Sequence, residues 1–138
     1  MKVLVSACLL GENCKYNGGN NYSKKLEEFL KDKEYLAVCP EVLGGLSIPR
    51  HPCEIVDGVV MNSAGENVDR EFREGAAKAL EIAEKEHIDL AVLQQRSPSC
   101  GAGVIYDGSF SGNKIPGNGV FAEALIKKGF KVIREEDL

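Results

Sequence analysis

Three apolar runs of strand character each end at a cysteine or at a loop that carries one. They are Lys2-Val-Leu-Val-Ser-Ala-Cys8, Tyr35-Leu-Ala-Val-Cys39, and Asp89-Leu-Ala-Val-Leu93 followed by Gln94-Gln-Arg-Ser-Pro-Ser-Cys100. Runs that are apolar almost throughout suit parallel strands covered on both faces. In an open α/β sheet, ligands bind beyond the carboxyl ends of the strands. If the three runs are neighbours, three thiols far apart in sequence face one pocket.

The segments between these runs supply the helices that such a sheet requires. Ser23 predicts an N-cap ahead of Leu26, Phe29 and Leu30. Asp69 predicts the cap of a longer helix with Phe72, Ala76, Ala79, Leu80 and Ala83 on its inner face. Asn118 predicts the cap of a last helix bearing Phe121, Leu125 and Ile126, closed by Gly129 before a short strand at 131–133. A small hairpin is expected over 54–60 and 66–68, with turns at Asp57-Gly58 and Ala64-Gly65. Residues 9–22, 39–53 and 101–117 read as long irregular loops. The expected fold is a single α/β domain over 1–138, three-layered and Rossmann-like, with a mostly parallel sheet and long loops at the strand C-terminal ends. Loops of this length in a compact domain are usually functional or disordered. These are Gly- and Pro-shaped, so they read as walls of a site.

Charge and cysteine count narrow the function. A formal net charge of −4 without a basic block disfavours a nucleic-acid polymer as partner. No stretch is long enough to span a bilayer and no signal-peptide pattern opens the chain, so the cytoplasm is the expected location. In that compartment five cysteines are a poor disulfide framework, the odd count included. Structural zinc sites usually contain close Cys pairs, and no Cys-x-x-Cys occurs here. Cys8, Cys39 and Cys100, without an obvious fourth ligand, suit a metal or cluster with one open position. His51 is the conceivable fourth ligand; His87 reads as a surface residue. The bland alternative is that these cysteines are small core residues, which is the favoured reading for Cys53 and an even one for Cys14.

Around the thiols stand candidate companions. Glu41, two residues after Cys39, is placed to carry protons. Ser97, Ser99 and Gly101 flank Cys100 with hydroxyl and backbone N–H donors. Asn118 and Gly119 open the last helix, where free N–H groups can receive a phosphate. Arg50 and Lys15 are cationic candidates, and Tyr16 can stack on a base. On residues alone, three readings stay open: a catalytic cluster, a non-catalytic iron–sulfur or zinc binding module, and a cysteine-nucleophile hydrolase.

The motifs Ser6-Ala-Cys8-Leu-Leu-Gly11-x-x-Cys14-x-Tyr16-x-Gly18, Cys39-Pro-Glu41-x-x-Gly44-Gly45-Leu46-x-x-Pro49-Arg50 and Ser97-Pro-Ser-Cys100-Gly101 together resemble the DUF523 family, the thiouracil desulfidases, over essentially the whole chain. The resemblance implies a [4Fe-4S] cluster on Cys8, Cys39 and Cys100 with one open iron, leaving Cys14 outside the ligand set. It implies catalytic roles for Glu41 and Ser97. The implied substrate is a small thiolated pyrimidine or its nucleotide, with 4-thiouridine monophosphate as the physiological one.

Overall fold

A computed structural model describes all residues from Met1 to Leu138. Its centre is a four-stranded parallel sheet in the order β2-β1-β5-β8, formed by β1 (Lys2–Ser6), β2 (Glu34–Val38), β5 (Leu90–Leu93) and β8 (Val132–Arg134). The three cysteine-terminated runs are therefore adjacent, with the first in the middle. Register aligns their ends: Ser6 pairs with Val38, and Val5 with Val92.

Side-chain alternation builds two cores. Leu4, Val38, Ala91 and Leu93 point to the face covered by α3 (Asp69–Lys85) and α4 (Val120–Lys127), where they meet Phe72, Ala76, Ala79, Phe121 and Leu125. Val3, Val5, Leu90 and Val92 point to the other face, against Leu26 and Leu30 around α1 (Lys24–Phe29). Helices on both faces of a parallel sheet give the three-layer α/β arrangement expected from the strand composition. Ser23 caps α1 as expected, its Oγ accepting from the Leu26 N–H at 3.1 Å. No helix is long and apolar enough to cross a membrane.

Several local expectations are corrected. The 39–53 segment contains a short helix, α2 (Pro40–Leu43), started by the proline, which fits the first helical turn. Gly44 and Gly75 let α2 lie directly on the α3 backbone: a Cβ on Gly75 would fall 1.8 Å from the Pro40 carbonyl oxygen. The hairpin consists of β3 (Cys53–Val56) and β4 (Val59–Asn62), turning at Asp57 and Gly58 with φ of 49° and 79°. Asp69 is not the N-cap of α3, because its carboxylate accepts from the Val60 N–H and ties the helix to β4. The 101–117 segment is not wholly irregular: β6 (Val104–Tyr106) and β7 (Lys114–Pro116) form a second hairpin. β7 is fully exposed, which leaves no hydrophobic alternation to read.

Candidate active site

One cavity of about 520 Å³ opens at the C-terminal ends of β1, β2 and β5, within the size range of small-molecule pockets. Cys8, Cys14, Cys39, Cys53 and Cys100 all line it, together with Glu41, Arg50, Ser97 and Ser99. Cys8 sits on a 3₁₀ turn (Ala7–Leu10) that continues β1, Cys39 immediately precedes α2, and Cys100 ends the loop after β5. The strand ends themselves are fastened, since Ser6 Oγ accepts from the Gln94 N–H at 2.9 Å.

The cysteines are all free thiols. Cys39 Sγ donates to the Cys14 carbonyl at 4.0 Å, and Cys14 lines the cavity with Cys8 and Cys39. The Cys14 thiol is pushed up to about 11: Cys39 lowers it, while Cys8 and burial raise it more. Cys39 is held well above the ordinary thiol value by Cys14 and by burial. Burial pushes Cys100 up to about 12 against hydrogen bonds from Ser6 and Ser99, and burial with the Glu41 carboxylate pushes Cys53 up to about 12. Reactive cysteine nucleophiles show the opposite, a lowered pKa beside a base or cation. Thiols in this state ionise on binding a metal centre, which deprotonates them outright.

No three Cys, His, Asp or Glu side chains converge tightly enough to hold a single metal ion. All five cysteines instead line the wall of one cavity. Several soft thiols on one cavity wall are a donor set that would suit an iron–sulfur cluster. His51 does not line the cavity. As a set of soft, free, inward thiols, Cys8, Cys39 and Cys100 fit a cluster, with Cys14 beside them.

The carboxylate side of the site is a connected network. Glu41 Oε1 accepts from Arg50 Nη2 at 3.0 Å and Nε at 3.3 Å, and the two side chains are only 15% and 8% exposed. Its Oε2 accepts from Ser99 Oγ at 2.8 Å and from Ser97 Oγ at 3.4 Å. Ser97 Oγ in turn accepts from the N–H groups of Ser99 and Cys100, which folds the loop under the third thiol. The remaining Arg50 donors go to the carbonyls of Cys14 and Ser47. Arg50 thus orients Glu41 and clasps the Cys14 loop, and none of this was visible in the linear motif.

Asn118 and Gly119 lie outside the cavity lining. The N-cap of α4 is Gly119, and the N–H groups of residues 119–122 all donate to carbonyls of Pro98, Ser99 and Gly101. Asn118 accepts from the Gly103 N–H and donates to Glu123. The helix start therefore binds the Cys100 loop, and its donors are taken. Gly119 serves this close approach, since a Cβ there would come 2.6 Å from the Ser99 carbonyl, while Gly101 lets the loop close on itself, a Cβ there falling 2.7 Å from the Ser97 carbonyl oxygen. Tyr16 does line the cavity and is 41% exposed. Sequence reasoning missed Asn21, whose Nδ2 points at Cys8 Sγ, and Arg96 and Tyr106 on the wall. Arg96 carried no motif of its own, and Tyr106 belonged to a segment read as loop.

A parallel α/β domain with a thiol-lined pocket at its strand ends defines an enzyme-like cofactor site. The 2-thiouracil desulfurase family model matches residues 3–137, and the chain belongs to that family of enzymes. It is 42% identical over 146 residues to the uncharacterised protein YbbK of Bacillus subtilis (strain 168), covering 99% of this chain and 97% of the relative. Among solved structures, the [4Fe-4S]-dependent thiouracil desulfidase TudS superposes with a TM-score of 0.93 at 40% identity, over 99% of this chain and 92% of that one.

Proposed function

We propose that this enzyme is a [4Fe-4S]-dependent desulfidase that removes sulfur from thiolated uracil compounds, 4-thiouridine monophosphate among them, and releases it as hydrosulfide by non-redox hydrolysis. The observation that carries this reading is the meeting of Cys8, Cys39 and Cys100 with the Glu41–Ser99–Ser97 network in one cavity. When bound, the cluster supplies a Lewis-acidic iron free of protein ligands, a soft partner for a thiocarbonyl sulfur.

The chain's own residues do the rest. The carbon–sulfur double bond is exchanged for carbon–oxygen: one water enters, and hydrogen sulfide leaves as hydrosulfide and a proton. Glu41 takes the proton of the attacking water at Oε2, directly or through the Ser99 hydroxyl. Arg50 holds Oε1, so Oε2 faces the serines and the cavity. Ser97 and Ser99 orient the pyrimidine by hydrogen bonding. Tyr16 offers an aromatic face at the wall.

Protein purified without oxygen should be brown, carry about four irons per chain and release hydrosulfide from 4-thiouracil compounds. Alanine at Cys8, Cys39 or Cys100 should remove both colour and activity. Glu41→Gln separates this reading from a non-catalytic iron–sulfur or zinc module: turnover should drop by about 10²–10⁴ with iron content intact. Full activity in an iron-free preparation would end the proposal.

A further inference from the structure

Two of the three expected ligand sulfurs face a side-chain donor. Ser99 Oγ lies 3.8 Å from Cys100 Sγ, and Asn21 Nδ2 lies 3.8 Å from Cys8 Sγ. The two donors differ in what else they serve. A hydroxyl has one proton, and Ser99 Oγ already meets the Glu41 carboxylate at 2.8 Å. A side-chain amide has two N–H donors, and Asn21 Nδ2 makes no other hydrogen bond within the protein. Cys39 Sγ, as a thiol, donates to the Cys14 carbonyl, a contact that ends when the sulfur ionises.

Loop geometry brings Asn21 there, from thirteen residues further along the chain. The backbone turns sharply over 15–19, where the Lys15 N–H donates to the Gly19 carbonyl at 3.1 Å and the Gly18 N–H to that of Lys15 at 2.9 Å. It then runs back along the 3₁₀ turn. The Asn21 N–H donates to the Cys8 carbonyl at 2.9 Å, and the Ser23 N–H to the Leu9 carbonyl at 2.8 Å. Asn20 Nδ2 fastens the return to Asn13 Oδ1 at 2.9 Å. Asn21 thus grips the buried Cys8 twice, by its backbone at the carbonyl and by its side chain at the sulfur. The backbone grip does not depend on the side chain, so the two can be separated by substitution.

A cysteine that holds a metal centre is a thiolate, which accepts hydrogen bonds and donates none. An N–H aimed at that sulfur draws charge from it, and such bonds are among the features that set a cluster's reduction potential. Partners of this kind also orient the ligand and strengthen metal binding. We propose that Asn21 is a positioning residue for the cluster: its amide fixes the Cys8 sulfur, raises the cluster's reduction potential and slows the loss of iron. This rests on the reading of Cys8 as a cluster ligand.

The test uses the full chain, loaded with cluster in the absence of oxygen, as wild type, Asn21→Leu and Asn21→Gln. Asn21→Leu keeps the side-chain size and the backbone bond but removes the donor. Its cluster should titrate at a lower potential than that of wild type and lose iron to a chelator about 10- to 100-fold faster. Asn21→Gln, which keeps an amide, should recover most of both. A release rate within about twofold of wild type in Asn21→Leu would overturn the proposal. So would an unchanged potential, even with faster iron loss or an earlier urea midpoint in cluster-free protein, because that pattern belongs to a loosened loop. Failure of the underlying reading looks different. A wild-type chain that takes up no cluster, or a Cys8→Ala variant that keeps a full one, removes Cys8 from the ligand set and this role with it.

Discussion

Gly75→Ala is the sharpest perturbation of the way the fold sets the site. The added methyl would lie 1.8 Å from the Pro40 carbonyl oxygen and 3.0 Å from the Gly44 nitrogen, both backbone atoms that no rotamer change can clear. To reach ordinary contact, α2 has to retreat by roughly 1.5 Å. Pro40 stands between Cys39 and Glu41, so the proposed cluster ligand and the proposed proton carrier move with it. Overpacking of this kind costs about 1–3 kcal/mol, and exchanging a helical glycine for alanine returns about 1 kcal/mol. The net loss, up to about 2 kcal/mol, is survivable for a domain of this size. Activity is more exposed, because a displacement of about 1 Å can cost roughly 100-fold. Hydrosulfide release, iron per chain and urea denaturation should be measured together. The expected result is a folded protein with kcat down by about two orders of magnitude, far beyond its stability loss. Gly129→Ala is the control: φ is 86° there with no atom within 4 Å of the new Cβ, so it carries backbone strain remote from the site and should keep full turnover. Wild-type kcat and wild-type midpoint in Gly75→Ala would refute the idea that this helix crossing positions the catalytic loop.

Two further outcomes follow from the same network. Arg50→Ala leaves Glu41 buried without its cation and strips donors from the Cys14 and Ser47 carbonyls, so urea unfolding should show a loss of about 3–5 kcal/mol, with Arg50→Lys milder. A change below about 1 kcal/mol would show that the pair is open to solvent. The thiols give a pH signature in cluster-free protein. Cys14, Cys53 and Cys100 are raised from 9.0 to about 11, 12 and 12. The unfolded chain therefore loses these protons first. Their contribution to stability is complete below pH 9 and is lost as pH climbs toward 12. Thiolate absorbance should appear near the ordinary value in urea and only at higher pH in the folded state; coincident curves would contradict the burial.

How much could be read without coordinates depended on whether the signal was local. The three strands before the cysteines are apolar because both of their faces are covered, and that composition exists in the chain itself. Ser23 was legible because a cap bonds three residues away, and Asp57-Gly58 because a tight hairpin turn tolerates left-handed residues there. Asp69 and Asn118 looked like caps for the same local reason, yet each spends its side chain on a partner from another segment: Val60 for the first, Gly103 for the second. The β6–β7 hairpin escaped notice because β7 has no buried face to impose a pattern.

The sequence by itself determined the alternation of strand and helix, the cysteine at each strand end and the membership of its motifs in one family, because each is written in short stretches of residue type. Only the tertiary structure decided that β1 sits between β2 and β5, that Arg50 pairs with Glu41, that the α4 amides are occupied, and that Arg96 lines the cavity. Those facts depend on which distant segments compete for each donor and charge. That competition is settled by packing across the sheet, where contacts between residues far apart in the chain leave no local mark.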